Sequence, residues 1–146
     1  KNTGKAIENN VKNNFNHINE ILYYHKLYKK KIKIIHISSD AVYPSTKGNY
    51  SEDSKLGPYN VYGWTKLASE FLVKMIGDYI IIRTRFYKKS LIKYKFSADD
   101  IYTSQIEISY LPKYINYLIK ENYQGVINIG NKKKSDYEIY KNKNKR

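Results

Sequence analysis

The chain has 146 residues, enough for one domain of ordinary size but few for an enzyme that binds both a dinucleotide and a second substrate. It has no cysteine, which excludes disulfides, thiolate catalysis and cysteine-ligated zinc. The net charge is +14, but the lysines are spread along the whole chain and no nucleic-acid-binding motif accompanies them, so we expect no nucleic-acid partner.

Other broad classes are also disfavoured by the sequence. No apolar run approaches the roughly 18 residues of a membrane span, and no signal-peptide pattern is present. We therefore expect a soluble, cytoplasmic protein with no membrane partner. His17, His25 and His36 have no clustered carboxylates around them, so we expect no metal site.

The first half of the chain predicts a helix, a strand and a loop. Residues 5–30 carry apolar side chains at the three-and-four spacing of one buried helical face, namely Ile7, Val11, Phe15, Ile18 and Leu22. Residues 31–38 are β-branched and mostly apolar, which is typical of a buried strand. Residues 39–60 contain two prolines and two glycines and predict a loop.

The same alternation of helix and strand then repeats. Residues 61–76 predict a second helix whose apolar face would be Trp64, Ala68, Phe71, Leu72 and Met75. Residues 79–84 predict a second buried strand, residues 110–121 a third helix and residues 125–130 a third strand. Helices that alternate with buried strands favour an α/β fold with a parallel sheet flanked by helices.

The second predicted helix opens with a pair of side chains suited to proton transfer. Tyr62 and Lys66 are four residues apart and therefore lie on the same helical face, one turn from each other. A nearby ammonium favours the phenolate and should lower the pKa of Tyr62 toward neutrality, where tyrosine can act as an acid/base. Alone this spacing is weak, since a chain with 17 tyrosines and many lysines produces it by chance.

A serine pair strengthens the interpretation. Ser38 and Ser39 end the first predicted strand, and Ser39 lies 23 residues before Tyr62. In open parallel sheets, ligands bind at the carboxyl ends of the strands. A hydroxyl at that edge can donate to a substrate oxygen while Tyr62 delivers or removes the proton.

Two longer runs carry a resemblance to a known family. They are Ile35-His-Ile-Ser-Ser-Asp-Ala-Val-Tyr43 and Gly57-Pro-Tyr-Asn-Val-Tyr-Gly-Trp-Thr-Lys-Leu-Ala-Ser-Glu70. Together they resemble the extended short-chain dehydrogenase/reductase family, nearest to its dTDP-4-dehydrorhamnose reductases and NAD-dependent sugar-nucleotide epimerases. Shorter likenesses at Asn9-Asn10-Val11, Ile81-Ile-Arg-Thr84 and Gly125-Val-Ile-Asn-Ile-Gly130 extend the resemblance over roughly residues 5–140.

The resemblance implies a role for each matching residue. Ser39 would polarise the substrate oxygen, Tyr62 would be the acid/base, and Lys66 would lower the Tyr62 pKa and bind the nicotinamide ribose of NAD or NADP. Ser38 would join Tyr62 and Lys66 on the cofactor side. Asn10, with Asn9 nearly as good a candidate, would support the proton relay or the pocket.

Three further residues are candidates for substrate binding. Asp40 matches an acidic residue of the reductase and dehydratase branches, while Ala41 stands where sugar-nucleotide dehydratases carry a glutamate acid/base, which disfavours dehydration. Arg83 and Arg85 lie at the end of the second predicted strand, at the edge of the sheet where a ligand is expected, and their charges suit a phosphate group there.

The sequence departs from the family at the dinucleotide cradle. Its seven glycines allow no Gly-x-Gly-x-x-Gly fingerprint, which should lie on the family's first strand and turn. We therefore expect a single partial Rossmann-like domain that lacks the N-terminal Gly-rich βαβ half. Its catalytic part would be residues 1–87, its substrate-side part residues 88–140, and residues 141–146 a frayed basic tail.

The implied activity is reduction of a 4-keto-6-deoxy sugar nucleotide by NAD(P)H, with Tyr62 as proton donor. The first alternative is a 4-epimerase that uses the same three residues with tightly held NAD. The second is a non-catalytic, reductase-like subunit or remnant that binds a protein partner. The resemblance implies a nucleotide-sugar substrate and is compatible with a homodimer.

Overall fold

The computed structural model of the chain describes residues 3–29, 31–88, 90 and 98–140, without the side chains of Thr3, Ala6 and Asn10. The predicted basic tail, residues 141–146, lies outside the described residues. The chain divides into two compact units, the first formed by residues 1–83 with 123–128 and the second by residues 84–122 with 129–146. This differs from the expected single domain divided after residue 87.

The first unit begins with one helix in three segments. They are α1 (Thr3–Val11), a π-helical turn (Lys12–Asn16) and α2 (His17–Tyr28). The prediction of a helix here is confirmed, but its predicted apolar face is only partly buried. Ile18 is buried, whereas Val11 is 40% exposed. A π turn adds a residue to the helical repeat, so an apolar stripe that starts before the turn is out of phase after it.

A parallel sheet forms the centre of the first unit. Strands β1 (Ile34–Ile37) and β2 (Tyr79–Thr84) pair in parallel, in a register that sets Ile37 opposite Ile82. The strand β6 (Gly125–Ile129) lies on the other side of β2, so the sheet order is β1-β2-β6. The three isoleucines in the middle of β2 are completely buried. The predicted α/β fold with a parallel sheet is thus confirmed.

Helices pack against this sheet and bury its apolar side chains. Ile18 of α2 and Ile81 of β2 join Val73, a residue of the helix α3 (Val61–Lys74), in one cluster. None of the helices within the described ranges is long and apolar enough to cross a membrane.

The buried face of α3 is not the one that its apolar residues predict. Trp64, Phe71 and Met75 are 57%, 58% and 74% exposed. The buried positions of the helix are instead Gly63, Leu67, Ser69, Glu70 and Val73. The prediction was wrong because apolar spacing cannot register polar side chains that are buried with hydrogen-bonding partners.

The second unit is built from short elements. Strand β3 (Phe86–Tyr87) pairs in parallel with β5 (Ile106–Glu107), and β4 (Tyr102–Thr103) pairs antiparallel with β7 (Lys134–Ser135). The helices are α4 (Leu111–Lys120) and α5 (Asp136–Tyr140). The helix α4 was predicted from the sequence. Strands of two residues are too short to show the alternation of apolar and polar residues that predicts a strand. The strand β6 was predicted correctly and joins the first unit because it pairs with β2.

One glycine sets how closely α3 approaches the loop after β1. A Cβ atom added to Gly63 would lie 2.2 Å from the carbonyl oxygen of Ala41 and 2.8 Å from the Cβ of Pro58. Both distances are shorter than van der Waals contact, and the first involves backbone that cannot rotate away. Only glycine at this position lets the first turn of α3 lie against the loop.

We expect Gly63→Ala to lower the free energy of unfolding by about 1–3 kcal/mol, because the added methyl group must push helix and loop apart. Urea denaturation measures this change. Gly57→Ala is the matched control, since its methyl group would meet only the Pro44 Cβ at 3.6 Å. Equal stability of the two variants would contradict the assigned role of Gly63.

Candidate active site

Ser39 lies just beyond the carboxyl end of β1. Its backbone is extended, and its hydroxyl caps the short 3-10 helix Asp40–Val42 by accepting a hydrogen bond of 3.1 Å from the Ala41 amide. The same hydroxyl donates a hydrogen bond of 3.2 Å to a carboxylate oxygen of Asp40. Ser39 is only 7% exposed, so its position is fixed by contacts on several sides.

Tyr62 is brought to Ser39 by the start of α3. The helix begins at Asn60, whose side chain accepts a hydrogen bond of 2.8 Å from the Gly63 amide and so caps the first turn. The phenol of Tyr62, in that turn, lies close enough to the Ser39 side chain for Ser39 to lower the Tyr62 pKa. That the two hydroxyls act on one substrate oxygen stays a prediction, and 41% of the Tyr62 surface is exposed.

The protonation of Tyr62 differs from the expectation. Burial of its hydroxyl end raises the pKa of Tyr62 above the usual value for tyrosine; the bond to Ser39 partly offsets this, and the Asp40 carboxylate raises the pKa further. We expected Lys66 to lower this pKa, which is wrong for the chain alone. Tyr62 is therefore a neutral phenol at neutral pH.

The Lys66 ammonium is held in place by two hydrogen bonds. Its Nζ atom donates one hydrogen bond to the Asn14 side-chain oxygen and another to the Ile37 carbonyl oxygen, each 2.9 Å long. Burial lowers the pKa of Lys66, and the Glu70 carboxylate partly offsets that effect. The amine thus lies at the end of β1, one helical turn from Tyr62.

Asn14 is a site residue that sequence analysis missed. It lies in the π-helical turn, a feature that is common at functional sites. We had predicted Asn10, whose side chain lies outside the described residues. Asn10 and Asn14 are four residues apart and would share a face of a regular helix, so spacing alone could not choose between them.

Arg83, predicted to bind a phosphate group, is instead paired inside the protein. Its Nη2 and Nε atoms donate to the two carboxylate oxygens of Glu70 over 2.7 Å and 3.0 Å. Its Nη1 atom donates to the Tyr43 hydroxyl and to the Glu52 carbonyl oxygen. With only 2% of its side chain exposed, Arg83 presents no donor to a ligand, and we correct that prediction.

The remaining predicted residues divide between buried and exposed positions. The Ser38 hydroxyl is buried and donates to Glu70 over 2.5 Å, so it faces the protein interior. Asp40 is exposed beside Ser39, and Arg85 is exposed in the second unit. Among the described residues no group of three or more acidic, histidine or cysteine side chains could hold a metal ion.

The site combines one neutral acid with one fixed hydroxyl at the edge of a parallel sheet. A carbonyl oxygen placed between the Tyr62 and Ser39 hydroxyls would accept hydrogen bonds from both, and Tyr62 could pass its proton to it. The reverse transfer would take a proton from an alcohol. The geometry therefore suits interconversion of a carbonyl and an alcohol.

A family model described as the RmlD substrate binding domain matches residues 11–90. That range includes Ser39, Tyr62 and Lys66. No curated protein sequence matches the chain significantly.

Solved structures resemble the chain over nearly all of its length. A hypothetical dTDP-4-dehydrorhamnose reductase from Sulfolobus tokodaii is 26% identical with a TM-score of 0.72, over 97% of this chain and 53% of that one. The UDP-glucuronic acid 4-epimerase from Bacillus cereus, in complex with NAD, is 26% identical with a TM-score of 0.75, over 95% and 54%.

A third similar structure is the dTDP-4-dehydrorhamnose reductase from Bacillus anthracis in complex with NADP. It is 26% identical with a TM-score of 0.66, over 75% of this chain and 45% of that one. The chain thus spans about half the length of the solved structures that it matches.

His36, below the site in β1, makes stability depend on pH. Burial lowers its pKa from 6.5 to about 4, with a further lowering by Lys66 and a partial offset by Glu70. The unfolded chain therefore binds a proton between pH 6.5 and pH 4 that the folded chain does not. Folding stability is lost as the pH falls through this window.

We expect the free energy of unfolding to fall by about 2 kcal/mol between pH 7 and pH 5 through His36 alone. Urea denaturation at both pH values measures the change. His36→Gln should lose this part of the dependence, whereas His17→Gln, a change at an exposed position, should keep it. A His36→Gln variant with the full wild-type dependence would contradict the assignment.

Proposed function

Because the chain belongs to the family of the RmlD substrate binding domain, we propose that it is the catalytic half of a nucleotide-sugar oxidoreductase. The reaction that we propose is reduction of a 4-keto-6-deoxy sugar nucleotide. The placement of Ser39 just beyond the carboxyl end of β1, with Tyr62 near it in the first turn of α3, is the observation that carries this proposal.

In the proposed reaction, Tyr62 gives its proton to the ketone oxygen of the sugar. A phenol whose pKa is raised stays protonated at neutral pH and is thus ready to donate. Ser39, which donates its one proton to Asp40 in the chain alone, turns that proton to the same oxygen and stabilises the negative charge that develops on it. The exposed part of Tyr62 leaves room for the sugar to approach.

Lys66 and Asn14 support Tyr62 from the protein side. Asn14 and the Ile37 carbonyl oxygen fix the ammonium one turn from the phenol. A positive charge there stabilises the phenolate that remains after the proton has left. Asn14 is accordingly the residue that orients Lys66 in this proposal.

The cofactor that we propose is NAD or NADP, which supplies the hydride when bound. The solved structures similar to this chain contain NAD in the Bacillus cereus epimerase and NADP in the Bacillus anthracis reductase. Of the residues in this chain, Lys66 and Tyr62 fit the ribose side of such a cofactor. The chain carries no Gly-rich cradle for the pyrophosphate, so the proposal concerns one half of a complete enzyme. A cytoplasmic location and a homodimer stay predictions.

A 4-epimerase is the second candidate, favoured by the likeness to the Bacillus cereus enzyme, which has a TM-score of 0.75. Epimerisation uses the same groups twice, first to remove a proton from the sugar alcohol and then to return it to the ketone. An epimerase regenerates its cofactor in each cycle, whereas a reductase consumes NAD(P)H in proportion to its product.

We expect Tyr62→Phe in the full-length parent polypeptide to lower kcat by about 10²–10⁴-fold, because the phenylalanine has no proton to give. Turnover of a 4-keto sugar nucleotide, followed by NAD(P)H absorbance, measures this. The control is Tyr59→Phe, which changes an exposed tyrosine just before α3 and should retain full activity. Unchanged turnover in Tyr62→Phe would exclude Tyr62 as the acid.

A further inference from the structure

We propose that Glu70 is a positioning residue that fixes the separation between the Ser39 hydroxyl and the Tyr62 phenol. The proposal rests on the proposed function, in which both hydroxyls act on one substrate oxygen. Glu70 does not touch that oxygen; it acts through Ser38 and through its own helix.

Glu70 joins the strand that bears Ser39 to the helix that bears Tyr62. It lies on α3 two turns after Tyr62 and has no exposed surface. Its Oε1 atom accepts the hydrogen bond of 2.5 Å from the Ser38 hydroxyl. Consecutive Cα atoms are about 3.8 Å apart, so a shift of Ser38 is passed directly to Ser39.

Arg83 prevents the Glu70 carboxylate from turning. The guanidinium binds both carboxylate oxygens, and such a two-point contact fixes the plane of the carboxylate as well as its distance. Apolar side chains at these positions could fill the same volume but would fix no direction. The Ser38 hydroxyl therefore meets an acceptor whose place and orientation are set by β2.

The same arginine extends this control to the loop between β1 and α3. The Tyr43 hydroxyl accepts a hydrogen bond from Nη1, the third nitrogen of Arg83. The same hydroxyl also hydrogen-bonds the Asn128 side chain over 2.9 Å and the Ser51 carbonyl oxygen over 3.0 Å. The loop that carries Asp40 and ends at Asn60 is thereby attached to β2 through Arg83 and to β6 through Asn128.

Glu70 also acts on the charge of Lys66. The two residues are one helical turn apart, and the carboxylate partly offsets the effect of burial on the lysine. His36, from β1, also interacts with Lys66, and Asp40 interacts with Tyr62. Removal of the Glu70 charge should thus deprotonate Lys66 at a lower pH.

The test compares Ser38→Ala, Glu70→Gln and Glu70→Asp in the full-length parent polypeptide. We expect Ser38→Ala to lower kcat about 10–100-fold with KM within about two-fold, because misplacement of a reacting group mainly affects the chemical step. Glu70→Gln should lower kcat further and move the alkaline limit of activity to lower pH. Glu70→Asp, which keeps the charge, should restore that limit toward the wild-type pH.

Glu121→Gln is the control, a glutamate-to-glutamine change at an exposed position of the second unit. It should leave kcat, KM and the pH profile unchanged. Wild-type kcat and an unshifted pH profile in folded Ser38→Ala would overturn the proposal, as would the same result in Glu70→Gln. If Glu70→Gln fails to fold, Ser38→Ala decides, since it keeps the ion pair with Arg83.

A second readout separates this proposal from the proposed function. The ¹³Cζ signal of Tyr62, assigned as the one absent from Tyr62→Phe, reports its surroundings whether or not the enzyme turns over. A shift of this signal in Ser38→Ala, with no shift in Glu121→Gln, supports the positioning role even if no sugar nucleotide is reduced. A Tyr62 signal that keeps its wild-type position in Ser38→Ala would overturn the positioning role independently of activity.

Discussion

The ion pair between Glu70 and Arg83 joins α3 to β2 beside Ser38, the residue before Ser39. Glu70 comes from α3 and Arg83 from β2, and their side chains are 1% and 2% exposed. Taking such charges out of water costs several kcal/mol per ion, which a well-packed apolar pair would avoid. What the ion pair contributes is a fixed geometry, because each of its hydrogen bonds has a direction. Loss of one partner leaves a buried charge without compensation, at a cost of about 3–5 kcal/mol.

Much of the fold follows from the periodicity of apolar residues. The β-branched run at residues 79–84 predicted β2 with its observed bounds, and the alternation of helices and strands predicted the parallel sheet. The same reasoning chose the wrong face of α3. That helix buries Ser69 and Glu70 and exposes Trp64, since hydrogen bonds to partners distant in sequence compensate for the burial of polar groups. Such partners cannot be identified from spacing along one helix.

The proximity of Ser39 and Tyr62 follows from two local features of the structure, the end of β1 and the start of α3. One ends a buried strand, and the other begins a capped helix. Asn14 could not be chosen from the sequence, because it shares a face of a regular helix with Asn10 and only the structure shows that Asn14 binds Lys66. Arg83 was misassigned for the opposite reason: a cation at the end of a strand suits an anionic ligand, but here a carboxylate of the protein itself takes that place.

The hydrogen bond from Lys66 to the Ile37 carbonyl oxygen lies at the edge of the sheet where a further strand could pair with β1. Within the described residues β1 is an edge strand. Ser38 directs its amide toward β2, so the backbone groups of Ile37 point the other way. Lys66 therefore occupies an acceptor that an added strand would use for its own N–H. A strand that paired with this edge would therefore have to share the Ile37 carbonyl oxygen with the ammonium or displace the ammonium from it.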